Sequence, residues 1–286
     1  MAELVEIIGV THNPFLSRML AADDGSDPVL KVIAEDYALM RARLAEARPD
    51  VLVVIASDHL NQWFMDNMPA FLVGKSARAE GPFPHEQRGF GLAPYSAAVD
   101  TTLAKWFVAA GFNEGVDFAF SDEFLIDHAF TVPLHFVRPE MDLPIVPIWT
   151  NVMAPPLPPA DRFYFVGGAL ARLIASAPSK QRIAVITSGH LAVEVGGPKP
   201  HTAGSTDELF DRNMMAFIEA GDVQSVLRDS TFERLLQAGN VTPGFLNYVM
   251  LLGVAEGRKP SAIALRFPQT TTAVYYMEWD HGSLSR

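Results

Sequence analysis

At 286 residues and 49% hydrophobic, the chain can bury a sizeable core in one large domain or two small ones. Its 22 basic residues against 33 acidic give a net charge of −11, which argues against a nucleic-acid surface, because phosphate binding needs a basic face. The absence of cysteine excludes disulfides, thiolate zinc sites and cysteine nucleophiles together, and it is compatible with the cytoplasm.

The amino terminus carries acids where a signal peptide carries bases, and it runs directly into an apolar strand at residues 6–10. The longest apolar stretches fall well short of a bilayer span, so a soluble, cytoplasmic protein is expected. The first strand leads to Thr11, His12, Asn13 and Pro14. Asp27 then caps a helix whose first residue is Pro28. Val29, Val32, Ile33, Tyr37, Met40 and Leu44 keep helical spacing and carry that helix to about residue 48. Pro49 breaks it, and a strand at 51–56 ends in Ser57, Asp58 and His59. This β-α-β unit makes a right-handed crossover if its strands share a sheet, placing both histidines at the same edge.

Residues 60–95, rich in Gly, Pro and aromatics, read as irregular, with the length of a functional lid or a subunit contact. A helix is expected at about 96–110, followed by a Pro-flanked loop holding Asp127 and His128. A strand at 145–148, a stiff connector at 155–159 and a helix at 161–176 come next. Another strand at 183–187 ends in Ser188, Gly189 and His190. The last third holds helices near 206–220, 231–237 and 242–255, then strands at 262–267 and 271–278. The pattern predicts an α/β fold: a central, mostly parallel mixed sheet with helices on both faces, in a single domain spanning 1–286.

Imidazole is the commonest protein ligand for a transition metal, and ligands gather where parallel strands end at their carboxyl edge. One histidine after a strand is more often a hydrogen-bonded structural residue than a ligand. Three at equivalent edges (His12, His59 and His190), with His128 nearby, point to a metal pocket. His135, His201 and His281 read as structural or surface residues, and His85 sits in a loop that could fold over a pocket.

The blocks Thr11-His12-Asn13-Pro14, Ser57-Asp58-His59, 127–134 and Asn151 through Pro156 resemble the class III extradiol ring-cleavage dioxygenases, over nearly the whole chain. That resemblance implies a ferrous ion held by two histidines and a glutamate, with open positions for catechol and dioxygen. It makes His12 and His59 the histidine ligands and puts His128 in the pocket wall, bonding substrate or oxygen. The glutamate is expected at Gly244, and no carboxylate stands between Glu233 and Glu256. Asn247, one helical turn on, and Glu194, in the His190 loop, are the candidates to fill that position. The family's acid–base histidine aligns on Val193, so His190, three residues earlier, is the candidate for that role. Thr270 and Thr271 match a segment that contacts a substituent of the substrate.

The expected activity is thus iron-dependent extradiol cleavage of a catechol-like aromatic compound by dioxygen, with Fe2+ or another divalent metal as cofactor. Two alternatives stand beside it. One is a metal-dependent decarboxylase, lyase or hydrolase on a phenolic substrate, and the other is a non-catalytic subunit of a dioxygenase complex. A homo-oligomer, or pairing with a small lid subunit, is expected, with no nucleic-acid or membrane partner.

Overall fold

The computed structural model describes residues 1–196, 207–269 and 272–284. Its elements begin with β1 (Glu3–Thr11), α1 (Leu16–Ala22), α2 (Pro28–Ala47) and β2 (Val51–Ser57). Then come β3 (Phe71–Gly74), β4 (Arg78–Gly81), α3 (Pro84–Phe90), β5 (Tyr95–Ala98), α4 (Thr101–Gly111) and β6 (Ala119–Ser121). The middle of the chain forms α5 (His128–Val137), β7 (Ile145–Thr150), α6 (Ala160–Ser176) and β8 (Arg182–Gly189). The end holds α7 (Glu208–Ala220), α8 (Val223–Arg228), α9 (Phe232–Ala238), α10 (Leu246–Val254), β9 (Ala262–Arg266), β10 (Val274–Trp279) and α11 (His281–Leu284).

Eight strands make the main sheet in the order β6-β3-β7-β2-β8-β1-β10-β9. The central four, β7, β2, β8 and β1, are parallel, while β3 and β10 flank them antiparallel. Every residue of β2 is buried, as a parallel strand covered on both faces requires. Its side chains alternate between two cores. Val51, Val53 and Ile55 pack with α4, α6 and α10, whereas Leu52, Val54 and Ala56 pack with α2 and α5. Burying each such Val, Leu or Ile contributes about 1.5–3 kcal/mol. The sheet is therefore a stiff platform. No helix among the described residues is long and apolar enough to cross a membrane.

The α2 helix forms as its sequence predicts. The Asp27 carboxylate accepts the Val29 N–H at 3.0 Å, Pro28 opens the first turn, and Leu30, Ile33, Tyr37, Met40 and Leu44 are buried. It stops at Arg48, whose φ of 47° is left-handed, just before Pro49.

Other stretches differ from expectation. Residues 60–95 contain β3, β4, α3 and the start of β5 between irregular stretches. The helix expected from 96 begins only at Thr101, capped by Asp100, because the preceding residues pair as β5 with β4. The expected loop around His128 is the helix α5, with Pro133 inside it. The helix α8 is an addition, and the stretch from 242 opens as a 3-10 turn, Thr242–Phe245, before α10.

Candidate metal centre

Three neighbouring strands, β2, β8 and β1, deliver a histidine to the same sheet edge. Thr11 lies opposite Gly189 in the parallel pair, so His12 and His190 leave the sheet side by side. Their ring centroids are 4.1 Å apart. His59 arrives from the far side of β8, 5.2 Å from the His12 ring and 6.3 Å from that of His190. The ring of His128, first residue of α5, lies 4.2 Å from that of His59 at a tilt of 32°. Four of the histidines singled out in the sequence thus form one cluster.

The hydrogen bonds fix which nitrogen of His12 faces inward. The Ser188 hydroxyl donates its hydrogen to the Ala129 carbonyl at 2.6 Å. Having no second hydrogen, it can only accept from His12 Nδ1, 3.0 Å away. Nδ1 therefore carries the ring proton and Nε2 a bare lone pair. That Nε2 is buried and has no hydrogen-bond partner. Ala129 is available to Ser188 for a covalent reason. In a helix its carbonyl would accept from the N–H four residues on, and that residue is Pro133, which has none. Burial, then the neighbouring His190, His59 and His128, hold the His12 pKa well below its ordinary value, so the ring is neutral.

His59 is oriented by a carboxylate. Asp127 Oδ2 accepts from both His59 Nδ1, at 2.9 Å, and the His59 backbone N–H, at 3.0 Å. The other oxygen, Oδ1, caps α5 by accepting the Ala129 N–H at 2.9 Å. Burial alone would lower the His59 pKa, but the charge and hydrogen bond of Asp127 hold it above its ordinary value. Burial likewise opposes ionisation of Asp127, and His59 overcomes it, leaving that carboxyl below its usual range. With Nδ1 held by the carboxylate, His59 Nε2 is left for a proton or a metal ion.

His128 has the same arrangement. Its Nδ1 lies 2.5 Å from Glu86 Oε1, a buried carboxylate in α3. The segment read as a lid or a subunit contact thus sends an acid into the site. Asp58 turns the chain after β2, its Oδ2 accepting the N–H groups of Asn61, Gln62 and Trp63 at 2.9–3.2 Å. Burial, with Asp127 close by, pushes its carboxyl up to about 6.

The ligand atoms of His12, His59 and His190 lie within 4.8 Å of one another. An unpartnered, buried imidazole lone pair facing two further imidazoles is a donor set that fits a divalent transition metal. His59, Asp127 and His128 are equally close, but in that group the Asp127 oxygens are already taken by His59 and Ala129.

The other candidates stand apart. Asn247 is buried, its amide donating to the Ser188 carbonyl at 2.8 Å and its oxygen accepting from Thr150 Oγ1. Glu194 accepts the Asn240 N–H at 3.0 Å. His85 is exposed, His135 bonds the Ala93 carbonyl and His281 pairs with Glu3. Thr270, Thr271 and His201 lie outside the described residues. The sequence reading passed over Ser188, Asp127 and Glu86 as the groups that orient histidines. The only local hint is that Ser188 and Asp127 stand next to Gly189-His190 and His128 in the blocks already singled out.

The sequence profile of the family described as the catalytic LigB subunit of aromatic ring-opening dioxygenase matches residues 6–283. A 2,3-dihydroxyphenylpropionate/2,3-dihydroxicinnamic acid 1,2-dioxygenase of Paraburkholderia xenovorans (strain LB400) is 37% identical over 190 residues, 65% of this chain and 57% of that protein. Dioxygenases of the same description from Pseudomonas putida and Rhodococcus sp are each 30% identical, covering 72% and 82% of this chain and 61% and 69% of the relatives. The chain thus spans only about three fifths of the first two relatives' length. In fold it is similar to a crystal structure of an uncharacterized protein from Escherichia coli K12, with a TM-score of 0.58 at 14% identity, over 96% of this chain and 99% of that one.

Proposed function

Because the chain belongs to the LigB family of class III extradiol, aromatic ring-opening dioxygenases, we propose that it opens a catechol-like ring with dioxygen, using an iron-type ion held by His12 and His59. The observation that carries this reading is the buried, unpartnered Nε2 of His12, with His59 Nε2 presented beside it. When bound, ferrous iron supplies open coordination positions at which catechol and dioxygen can meet.

The chain's own residues do the rest. Asp127 and Ser188 hold the two imidazoles in the tautomer that leaves Nε2 inward. His128, with Nδ1 committed to Glu86, has Nε2 left to bond a diol oxygen and take its proton, the Glu86 carboxylate steadying the charge that results. Phe90 lies edge-on 5.5 Å from His128 and meets the partly exposed Phe15 at 5.2 Å, an aromatic wall leading outward from the histidines. Such a wall suits a flat phenolic ring. The relatives' names make 2,3-dihydroxyphenylpropionate one member of the catechol panel to try.

The test is metal content after anaerobic purification, followed by oxygen uptake with that panel. Bound iron, oxygen consumption and a coloured ring-opened product are expected. Turnover without oxygen uptake would move the protein to the non-oxidative class. An iron-loaded protein idle on every catechol would sink the proposal.

A further inference from the structure

We propose that His190 is the third protein ligand, completing a three-histidine metal site with His12 and His59. This rests on the metal-dependent reading above and goes beyond it by assigning the ligand set.

The sheet makes the placement. β8 lies between β1 and β2, so the residue that follows it emerges between the strands that carry His12 and His59. The His190 ring meets that of His12 at an interplanar angle of 61°, and one atom from each of the three rings falls inside the 4.8 Å group. The neighbouring backbone leaves room for the ring. A Cβ at Gly244 would stand 3.0 Å from His190 Cδ2, and one at Gly189 would stand 2.5 Å from the Gly244 carbonyl oxygen. Two glycines therefore let the turn at His190 settle against the 3-10 turn that precedes α10. Any side chain at 244 would press into the space His190 uses.

Asp58 keeps one buried oxygen unpartnered but belongs to no ligand group with the histidines among the described residues, and other nearby carboxylates are engaged elsewhere. Asp127 and Glu86 reach the cluster only by bonding His59 and His128, and Glu194 is held at Asn240. Three neutral imidazoles would leave the full double charge on the ion. Asp127, one hydrogen bond farther out through His59, offers compensating charge. A site of this kind favours an anionic substrate oxygen in its open positions. It also gives His190 a ligand's role in place of the acid–base role that its sequence position suggested.

The probe is Co2+ added anaerobically to the metal-free full-length protein, with affinity measured by chelator competition and coordinated imidazoles counted from hyperfine-shifted proton resonances. Wild type should bind one ion with three imidazole ligands. His190→Ala should show two and lose about 100-fold or more in affinity, beyond the 10–100-fold typical of an outer-shell change. In His190→Ala/Gly244→Glu, a carboxylate entering the vacated space should recover much of the affinity with two imidazoles. Two imidazoles in wild type, or unchanged affinity in His190→Ala, would overturn the assignment while leaving the His12–His59 centre standing. If wild type binds no Co2+, or His12→Ala binds it as well as wild type, the metal-dependent reading falls instead. The imidazole count in wild type does not depend on any variant folding.

Discussion

At the scale of single residues, one hydroxyl hydrogen determines how His12 is presented. Ser188 gives it to Ala129 and is left able only to accept from Nδ1. Ser188→Ala should weaken metal binding by about 10–100-fold, as loss of an orienting partner does. Leaving two buried polar groups unpaired should cost about 1–3 kcal/mol each, read from denaturant unfolding. Unchanged metal affinity would show that packing alone holds the ring. Asp127 allows a finer separation, since its two oxygens do different work. Asp127→Asn can keep the cap on α5 while losing the charge on His59, so metal affinity should fall by a similar factor. Its NH2 then faces the His59 backbone N–H, which loses its acceptor at a cost of about 1–3 kcal/mol. Asp127→Ala should lose the cap as well, a further ~1 kcal/mol. Equal stability of the two variants would contradict that division. His12, His59 and His190 were legible because each follows an apolar strand. Their partners were not, since Ser188 is 176 residues from His12 and Asp127 is 68 from His59. Only the sheet order brings them together.

At the scale of elements, α5 ties local sequence to the site. The stretch expected as a Pro-flanked loop is helical with Pro133 inside it, although a helix interior usually rejects proline. Tertiary packing overrides that preference, because Ala129, Phe130, Val132 and Leu134 are all fully buried. The carbonyl that proline leaves without its helical donor is the one Ser188 uses. Pro133→Ala should therefore raise stability, by up to about 3 kcal/mol on helix propensity alone. It also brings a competing N–H to the Ala129 carbonyl, which should free Ser188 to donate to His12 and shift that ring toward the other tautomer. Nitrogen-15 shifts of the imidazole report the tautomer, and chelator competition reports the metal affinity, which should fall. A variant that is more stable and binds metal as well as wild type would show that Pro133 matters only to the helix. The same limit of local reading explains β4 and β5. They are short and pair only with each other, so their periodicity is weak and the tract looked irregular.

At the scale of the whole molecule, the parallel centre was legible because strands covered on both faces are apolar runs, supplied by residues 51–56 of β2, 145–149 of β7, 183–186 of β8 and 7–10 of β1. Neighbour order and the antiparallel edge could not be read, because they depend on pairing between segments far apart. One consequence of that edge is a buried acid pair at the end of the sheet away from the histidines. Glu6 on β1 and Glu278 on β10 are both buried, and Arg43 of α2 reaches Glu278. Nothing in the alternation around Glu6 announces this, since an acid in a strand ordinarily faces water. Burial, and then the charge and hydrogen bond of Glu278, push Glu6 from its ordinary 4.5 up to about 9. Burial raises Glu278 as well, against the opposing pull of Arg43. Carboxyls that hold their protons more tightly when folded bind more protons in the folded state than in the unfolded one. Their contribution to stability is then complete below about pH 4.5 and declines as pH climbs toward about 9. Glu6→Gln keeps the size and hydrogen-bonding capacity of a protonated acid but cannot ionise. Unfolding in denaturant across that pH range should show stability falling in wild type and a flatter profile in the variant, the two diverging most at the alkaline end. Parallel profiles would mean that Glu6 ionises at its ordinary pH, with Arg43 serving both carboxylates rather than a shared proton serving the pair.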